Sequence, residues 1–233
     1  MTDEPFKNWP EDFINRGIKA GVGSLPVVGG PIAEFIQFVI GDPAQERRDD
    51  FLRAVVERIV ALEGKFDELK PEALKENEAF QATFIEAAQA SLRTAHEKKK
   101  EMLRNAILNV AIGTVDETIR HMFMQFIERL TPLHIATLNL MNNPGANEKV
   151  KQRVQNVMAG GLREIVDVAI PELRDQRELA DVIVADLENM KLTNGAGLNV
   201  TMTGNGMLAQ RTTLLGRSLL QFIADPETGR VPC

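Results

Sequence analysis

Cysteine is almost absent from this chain, which has one cysteine, Cys233, and no tyrosine. A single thiol excludes an intrachain disulfide framework, because each bridge needs two cysteines. Disulfides are rare in reducing compartments, so we expect a cytoplasmic protein. Apolar residues make up 44% of the chain and charged residues 26%. This balance is ordinary for a globular chain, and it predicts a core held by apolar packing.

Long apolar runs are missing too. No stretch reaches the roughly 18 to 20 uninterrupted apolar residues that a membrane-spanning helix requires. The sequence begins MTDEPFKNWPEDF, with no basic segment before an apolar run, so we expect no secretory signal. The formal net charge is −6. Nucleic acid and anionic lipid both attract clustered cations, so this acidic balance disfavours nonspecific binding to either.

Motifs that carry out chemistry are absent as well. The sequence contains no nucleophile elbow, no zinc-protease helix motif and no phosphate-binding loop. Its three histidines, His96, His121 and His134, fall on three different predicted helices, without a second ligand at coordinating spacing. We therefore expect a protein that is not an enzyme and binds no cofactor and no metal.

Helical periodicity dominates the first part of the chain. Apolar residues recur at spacings of three and four over 42–66, 76–113 and 114–130, which indicates amphipathic helices. Gly113 is expected to end the second pattern. Thr114 is expected to cap the next helix, in a capping box with Glu117. Short connections between such helices predict an antiparallel bundle over residues 1–130.

The predicted helices are shorter beyond residue 130, at 133–142, 147–159, 162–169 and 172–191. Thr131 followed by Pro132 signals a helix start. The runs LNVTMT and MLAQRTT flank GNG, which predicts a β-hairpin, and a last helix is expected to begin after Thr212 or Thr213. The predicted fold is thus all-α, a helical bundle followed by a domain at 131–233 that carries a small β-hairpin.

This order of helices, hairpin and closing helix resembles the winged helix-turn-helix over about residues 131–224. The segments LTPLHIATLNLM, ELADVIVADLENMKLTNGAGL and TTLLGRSLLQFI carry the resemblance. It implies a DNA-binding regulator as one hypothesis. The helix in the recognition position, within 171–192, has six acids against three basic residues. A local net charge of −3 repels phosphate, so we do not expect nucleic-acid binding. Arg211 and Arg217 are the candidate residues for that alternative.

The segment 17–41 is apolar and rich in glycine, and residues 20–33 carry no charge. Pro26 and Pro31 exclude one continuous helix, so we expect a helical hairpin. Its second arm is apolar on almost every side, which is typical of a helix that is deeply buried or that contacts a membrane or partner. The candidate contact residues are Val28, Ile32, Phe35, Ile36, Phe38 and Val39.

The string GSLPVVGGPIAEF, followed by RRDDFLRAV, resembles a widespread and poorly characterised family of bacterial all-helical proteins. LTPLHIATLNLMNNP and TTLLGRSLLQFI are similar to that family as well, so the likeness covers most of the chain. Residues 13–40 are distantly similar to the HeLo and mixed-lineage-kinase-like effectors, whose apolar N-terminal helix perturbs membranes. These resemblances imply an interaction or effector protein, with a protein partner or self-association, that moves to the membrane on activation.

Three hypotheses therefore stay open. A membrane effector predicts lipid binding that is lost on Phe35→Asp or Phe38→Asp, whereas a buried 17–41 hairpin predicts none. A winged-helix regulator predicts salt-dependent DNA retention that is lost when Arg211 and Arg217 are replaced. A homo-oligomeric scaffold predicts neither.

Overall fold

A computed structural model describes residues 42–195 and 197–233. Within these ranges the chain forms eleven α-helices and one two-stranded antiparallel sheet. The predicted all-α class with a small β element is therefore confirmed. The chain divides into two compact units. The first contains the described residues up to Glu128 together with Pro226–Thr228, and the second contains Arg129–Asp225 with Gly229–Cys233.

Five helices begin in the first unit. They are α1 (Asp42–Leu62), α2 (Pro71–Glu76), α3 (Glu78–Leu92), α4 (Glu97–Ile112) and α5 (Glu117–Arg129), with a 3-10 turn at Asp67–Leu69. Helices α1, α3 and α4 pack against one another and bury the predicted apolar faces, including Phe51, Phe80 and Ile107. The helical pattern over 76–113 is divided into two helices, since α3 ends at Leu92 and α4 begins at Glu97.

Helix α5 is capped by Asp116. Its carboxylate accepts hydrogen bonds from the backbone N–H groups of Thr118 and Ile119, at 2.9 and 3.2 Å. The prediction that Thr114 caps this helix is therefore wrong. Asp116 directly precedes the first helical residue, where an acceptor reaches the free N–H groups of the first turn. A carboxylate there also interacts favourably with the positive end of the helix dipole.

The first unit includes a short segment from near the end of the chain. Glu227, within Pro226–Thr228, pairs with Arg58 at 3.2 Å and also with Lys65. These partners lie on α1 and just beyond it, more than 160 positions earlier in the sequence.

The second unit has shorter elements. They are α6 (Pro132–Asn142), α7 (Glu148–Gln155), β1 (Ala159–Gly160), α8 (Leu162–Ala169), α9 (Arg177–Asn189), β2 (Met202–Thr203), α10 (Gly204–Met207) and α11 (Leu214–Ile223), with 3-10 turns at Pro144–Ala146 and Pro171–Leu173. The predicted start at Thr131 and Pro132 is confirmed, and the backbone N–H of Thr131 donates to His134 Nδ1 at 3.3 Å. Helix α6 contacts α8, α9 and α11.

The β pairing differs from the predicted hairpin. Strand β2 pairs with β1, with Ala159 opposite Thr203 and Gly160 opposite Met202. The GNG tripeptide forms the first three residues of α10 rather than a hairpin turn. Thr203 explains the difference, because its side chain accepts from the N–H of Gly206 at 3.3 Å and so caps a helix there.

Residues 192–194, which precede the first arm of the predicted hairpin at 198–203, pair with residues 211–213 at the end of its second arm. The N–H of Asn194 donates to the carbonyl of Arg211 at 2.7 Å, and that of Thr213 donates to Leu192 at 3.0 Å. These two bonds flank an antiparallel bridge between Thr193 and Thr212. The loop from 194 to 211 is therefore closed at its base by backbone hydrogen bonds.

Helix α11 lies directly against this base. A Cβ atom on Gly216 would be 2.1 Å from the carbonyl oxygen of Leu192, so a larger residue cannot fit without moving the backbone. Gly216 thus permits the close approach that places α11 beside the loop.

Candidate interaction surface

The predicted membrane or partner contacts do not fall in the described part of the chain. Val28, Ile32, Phe35, Ile36, Phe38 and Val39 all lie outside it. Among residues 42–195 and 197–233, no helix combines the length and apolar character needed to cross a membrane.

Arg211, the first nucleic-acid candidate, is engaged within its own loop. Its guanidinium donates to the carbonyl oxygens of Ala209 and Gly206, both at 2.6 Å, and lies 3.0 Å from the sulfur of Met202. Burial lowers the pKa of the Arg211 guanidinium. Because these carbonyls occupy N–H groups of the guanidinium, fewer donors remain for a phosphate in solvent. Its contacts indicate that Arg211 holds α10 against β2.

Arg217, the second candidate, is engaged in a similar way. Its guanidinium donates to the carbonyl of Thr212 at 3.0 Å, one turn before it on the chain. Both arginines therefore bind backbone carbonyls of the second unit.

Helix α9 carries the most distinctive surface of the second unit. Its buried side consists of Ala180, Ile183, Val184 and Leu187. Leu179 and Val182, however, are 42% and 55% exposed. Residues spaced by three lie on the same side of a helix, so these two side chains form an apolar strip in solvent. Glu178, also exposed, lies one turn from Val182 on that side.

Arg163 connects this helix to the neighbouring loop. Its guanidinium donates to the carboxylate of Asp181 on α9, and also to the side-chain oxygen of Asn199 at 3.1 Å. The next residue after Asn199 is Val200, which is 51% exposed. The Arg163 guanidinium therefore binds Asp181 and Asn199, which directly precede Val182 and Val200. We call Leu179, Val182 and Val200 the α9 surface.

Backbone contacts fix the loop that carries Val200. The N–H of Arg163 donates to the carbonyl of Leu198 at 2.9 Å. A Cβ atom on Gly161 would be 2.9 Å from that same oxygen. The loop therefore lies directly on the first turn of α8, and Val200 has a defined position without being covered.

The residues of the α9 surface were missed in the sequence. Six of the eight residues from Leu179 to Asp186 are apolar, which is more than one helix side can bury. That excess is the signal that could have indicated an exposed apolar strip. It does not indicate which residues face solvent, because the spacing of apolar residues cannot orient a helix that is apolar on most sides.

The histidines take separate positions. His121 Nδ1 lies 3.6 Å from Glu86, and His134 Nε2 lies 3.5 Å from Asp186, whereas His96 is the residue before α4. In the part of the chain that the structure describes, no three histidine, cysteine or acidic residues are grouped as a metal site would require.

Burial is the main cause of the pKa shift at two groups of the first unit, Glu86 and Lys99. Burial raises the pKa of Glu86, against the opposing influence of His121 and Arg120. Burial also lowers the pKa of Lys99, whose ammonium donates to the carbonyl of Glu128 at 2.7 Å.

Lys99 lines a small cavity of about 210 Å³. The other lining residues are Ala90, Arg93, Thr94, Leu103, Ile127 and Glu128. Arg93 is paired with the Glu128 carboxylate at 2.8 Å and Lys99 donates to the Glu128 carbonyl, so both cations already have a partner. We see no catalytic arrangement in this cluster.

Comparison with known proteins gives no relative. No protein-family model, curated protein or solved structure matches the chain significantly.

Proposed function

We propose that this chain is a non-enzymatic protein-interaction protein that binds another protein through the α9 surface. In this proposal the second unit is winged-helix-like, and α9 takes the position that the recognition helix has in DNA-binding winged-helix proteins. The helix serves a protein partner instead of DNA.

The order of elements supports the winged-helix assignment. A helix leads into β1, two helices follow, and β2 returns to pair with β1. The arms at 192–194 and 211–213 pair at the base of a loop, as the two sides of a wing would.

The character of the α9 surface carries the proposal. Leu179, Val182 and Val200 place apolar side chains in solvent. A DNA-reading helix instead needs cations or amides at its exposed side. The acids of α9 would repel phosphate, and Arg211 and Arg217 are bound to backbone carbonyls. Exposed apolar residues with a polar rim are typical of protein interfaces.

The hypothesis of conditional membrane activity rests on residues 17–41 alone and stays a prediction. The likeness to bacterial all-helical proteins, which covers most of the chain, and the likeness of residues 13–40 to HeLo-type effectors also stay predictions. Both are compatible with a partner-binding second unit, because the α9 surface lies elsewhere in the chain.

The test is site-specific photocrosslinking followed by reconstitution. Benzoylphenylalanine is placed at position 182, or at position 214 as a control, in the cells that make the protein. Leu214 is a suitable control because it is 73% exposed but lies on α11. We expect one protein to crosslink from position 182 and not from position 214.

That protein is then purified and titrated against the wild type, Leu179→Ser/Val182→Ser and Leu214→Ser. We expect the double variant to lose about tenfold or more in affinity, because an apolar contact is removed from the interface. Leu214→Ser should bind like the wild type. Identical crosslinks from both positions, or equal affinities for all three proteins, would reject the α9 surface as the docking site.

A further inference from the structure

The cavity beside Lys99 is formed by three helices of the first unit. Its lining comes from the end of α3, the first two turns of α4 and the last turn of α5. Its volume is about 210 Å³. An engineered apolar cavity of about 150 Å³ is large enough to hold benzene. In proportion, the cavity beside Lys99 has room for a molecule of about eight non-hydrogen atoms.

The apolar residues of the lining are buried, and the charged ones reach solvent. Ala90, Leu103 and Ile127 are 4%, 1% and 1% exposed. The side chains of Arg93 and Glu128 are 66% and 36% exposed. Apolar walls with a few polar groups that fix the orientation are typical of small-molecule sites. A molecule in this cavity would therefore place a carbon chain against the buried residues and a polar group among the charged ones.

The two cations of the lining have donors to spare. Arg93 donates to the Glu128 carboxylate at 2.8 Å, and the Lys99 ammonium donates to the Glu128 carbonyl at 2.7 Å. An ammonium has three N–H donors and a guanidinium has five. Among the residues that the structure describes, these contacts use only part of that capacity. Both cations can therefore donate to a further acceptor without giving up Glu128.

The charges of the lining favour an anion. Arg93 and Lys99 stand against the single carboxylate of Glu128, so the lining has a net charge of +1. The nearest acid on α4, Glu97, pairs with Lys100 and Arg104 instead. Burial lowers the pKa of the Lys99 ammonium, and Glu128 opposes this shift only in part. A second negative charge close to Lys99 would therefore stabilise its charged form.

We infer that this cavity binds a short-chain monocarboxylate, with its carbon chain against Ala90, Leu103 and Ile127 and its carboxylate between Arg93 and Lys99. Hexanoate is of about the right size. An amine of the same length would add a third positive charge, and an alcohol would bring no charge to the two cations. The site lies in the first unit and does not depend on the α9 surface, so either can fail without the other.

Titrations of the full chain with hexanoate, butanoate, 1-hexanol and hexylamine at neutral pH test the inference. Binding is followed by NMR through the methyl resonances of Leu103 and Ile127, which lie in the lining. The hexanoate titration is repeated with Lys99→Met, Lys98→Met and Ala90→Leu, and circular dichroism confirms that each variant is folded. Lys98→Met is the matched control, because Lys98 is the exposed neighbour of Lys99 and is not part of the lining.

We expect hexanoate to bind at least about tenfold more tightly than 1-hexanol or hexylamine, because only the carboxylate accepts charge-assisted hydrogen bonds. Butanoate, two methylenes shorter, should bind about tenfold more weakly than hexanoate. Lys99→Met should weaken hexanoate binding about tenfold. Ala90→Leu should weaken it at least as much, because the larger side chain occupies the cavity. Lys98→Met should leave the affinity unchanged.

Four results would overturn the inference. Equal affinities for hexanoate and 1-hexanol would show that the carboxylate is not recognised. Butanoate binding as tightly as hexanoate would show that the chain is not buried. Equal losses in Lys98→Met and Lys99→Met would assign the binding to the basic surface of α4 instead of the cavity. The absence of saturable shifts at Leu103 and Ile127 would exclude the site altogether.

Discussion

The two units differ in how many of their large apolar side chains remain exposed to solvent. Among the described residues, the large apolar side chains that remain exposed in the second unit are Met158, Leu179, Val182, Val200 and Leu214. In the first unit the corresponding residue is Ile85, which is just above one third exposed. The helices of the first unit cover one another, whereas α9 in the second unit is covered on one side only.

Both units bury polar side chains, and Thr137, Thr193 and Thr212 are buried in the second. The first unit encloses Arg120, which donates to Thr83 at 3.2 Å and lies 3.7 Å from Glu86. Ser91 is also buried there and donates to the carbonyl of Ala88 at 2.7 Å. Buried polar groups of this kind specify one packing arrangement when they are satisfied. The comparison teaches that the two units bury polar groups alike, whereas the second leaves more large apolar side chains in solvent.

The largest expected effect comes from disturbing the interior of the second unit without changing its surface. Gly216→Ala places a Cβ atom 2.1 Å from the Leu192 carbonyl, so α11 must move away from the loop base. We expect a loss of about 3 kcal/mol in the free energy of unfolding, measured by urea denaturation.

Gly197→Ala is the matched control for this substitution. A Cβ atom at Gly197 meets nothing within 4 Å, so its effect should stay within about 0.5 kcal/mol. Equal stabilities for the two alanine variants would mean that the close approach at Gly216 is not what positions α11.

A smaller effect is expected from Arg211→Ala, which tests whether this arginine is structural. The substitution removes the guanidinium donor from the carbonyls of Ala209 and Gly206, and Gly206 keeps the N–H of Ala209 at 3.3 Å. We expect a loss of about 1.5 kcal/mol in stability by thermal unfolding, and no change in elution from immobilised DNA. Arg217→Ala removes one carbonyl contact and should cost about half as much. A salt-dependent DNA retention that either variant abolishes would restore the regulator hypothesis.

The smallest effect concerns the polar interior of the first unit. Burial raises the pKa of Glu86 above 4.5 despite His121 and Arg120, and Glu128 adds to the rise. A carboxyl with a raised pKa in the folded state binds its proton more tightly there, so the folded state is penalised once the group ionises. This penalty is absent below pH 4.5 and develops as the pH rises through the folded-state pKa.

Glu86→Gln should therefore gain stability relative to the wild type at pH 7, and gain less at pH 3. The measurement is urea denaturation of both proteins at the two pH values. Because Glu86 keeps partial access to solvent, the gain is expected to be small. A variant that is less stable than the wild type at pH 7 would show that the contacts with Arg120 and His121 outweigh the cost of burial.

Helix positions could be predicted well from the sequence, for reasons that are local. The prediction of a helix over 162–169 is confirmed residue for residue, and Thr131 with Pro132 marks the start of α6. Both predictions depend on local capping residues and on apolar side chains that recur every 3.6 residues. The prediction that Thr114 caps α5 is wrong because Asp116, a second candidate cap, directly precedes the first helical residue. Its carboxylate accepts from the N–H of Thr118.

The strand pairing could not be predicted in the same way. GNG between two β-like runs is a hairpin signal, but Thr203 caps a helix there and β2 pairs with a strand more than 40 residues earlier. The α9 surface could not be predicted either, because its exposure depends on how α6 covers the helix. Local sequence determines which residues are apolar. Tertiary contacts determine which of them remain in solvent.

The pairing of Glu227 with Arg58 and Lys65 affects when the first unit can complete its folding during synthesis. A ribosome releases the chain from its N-terminal end, so α1 emerges long before Glu227 is translated. Every residue of the second unit up to Asp225 is synthesised in between. The first unit is therefore completed only after nearly all of the second has left the ribosome. During that interval Arg58 and Lys65 lack this carboxylate as a partner.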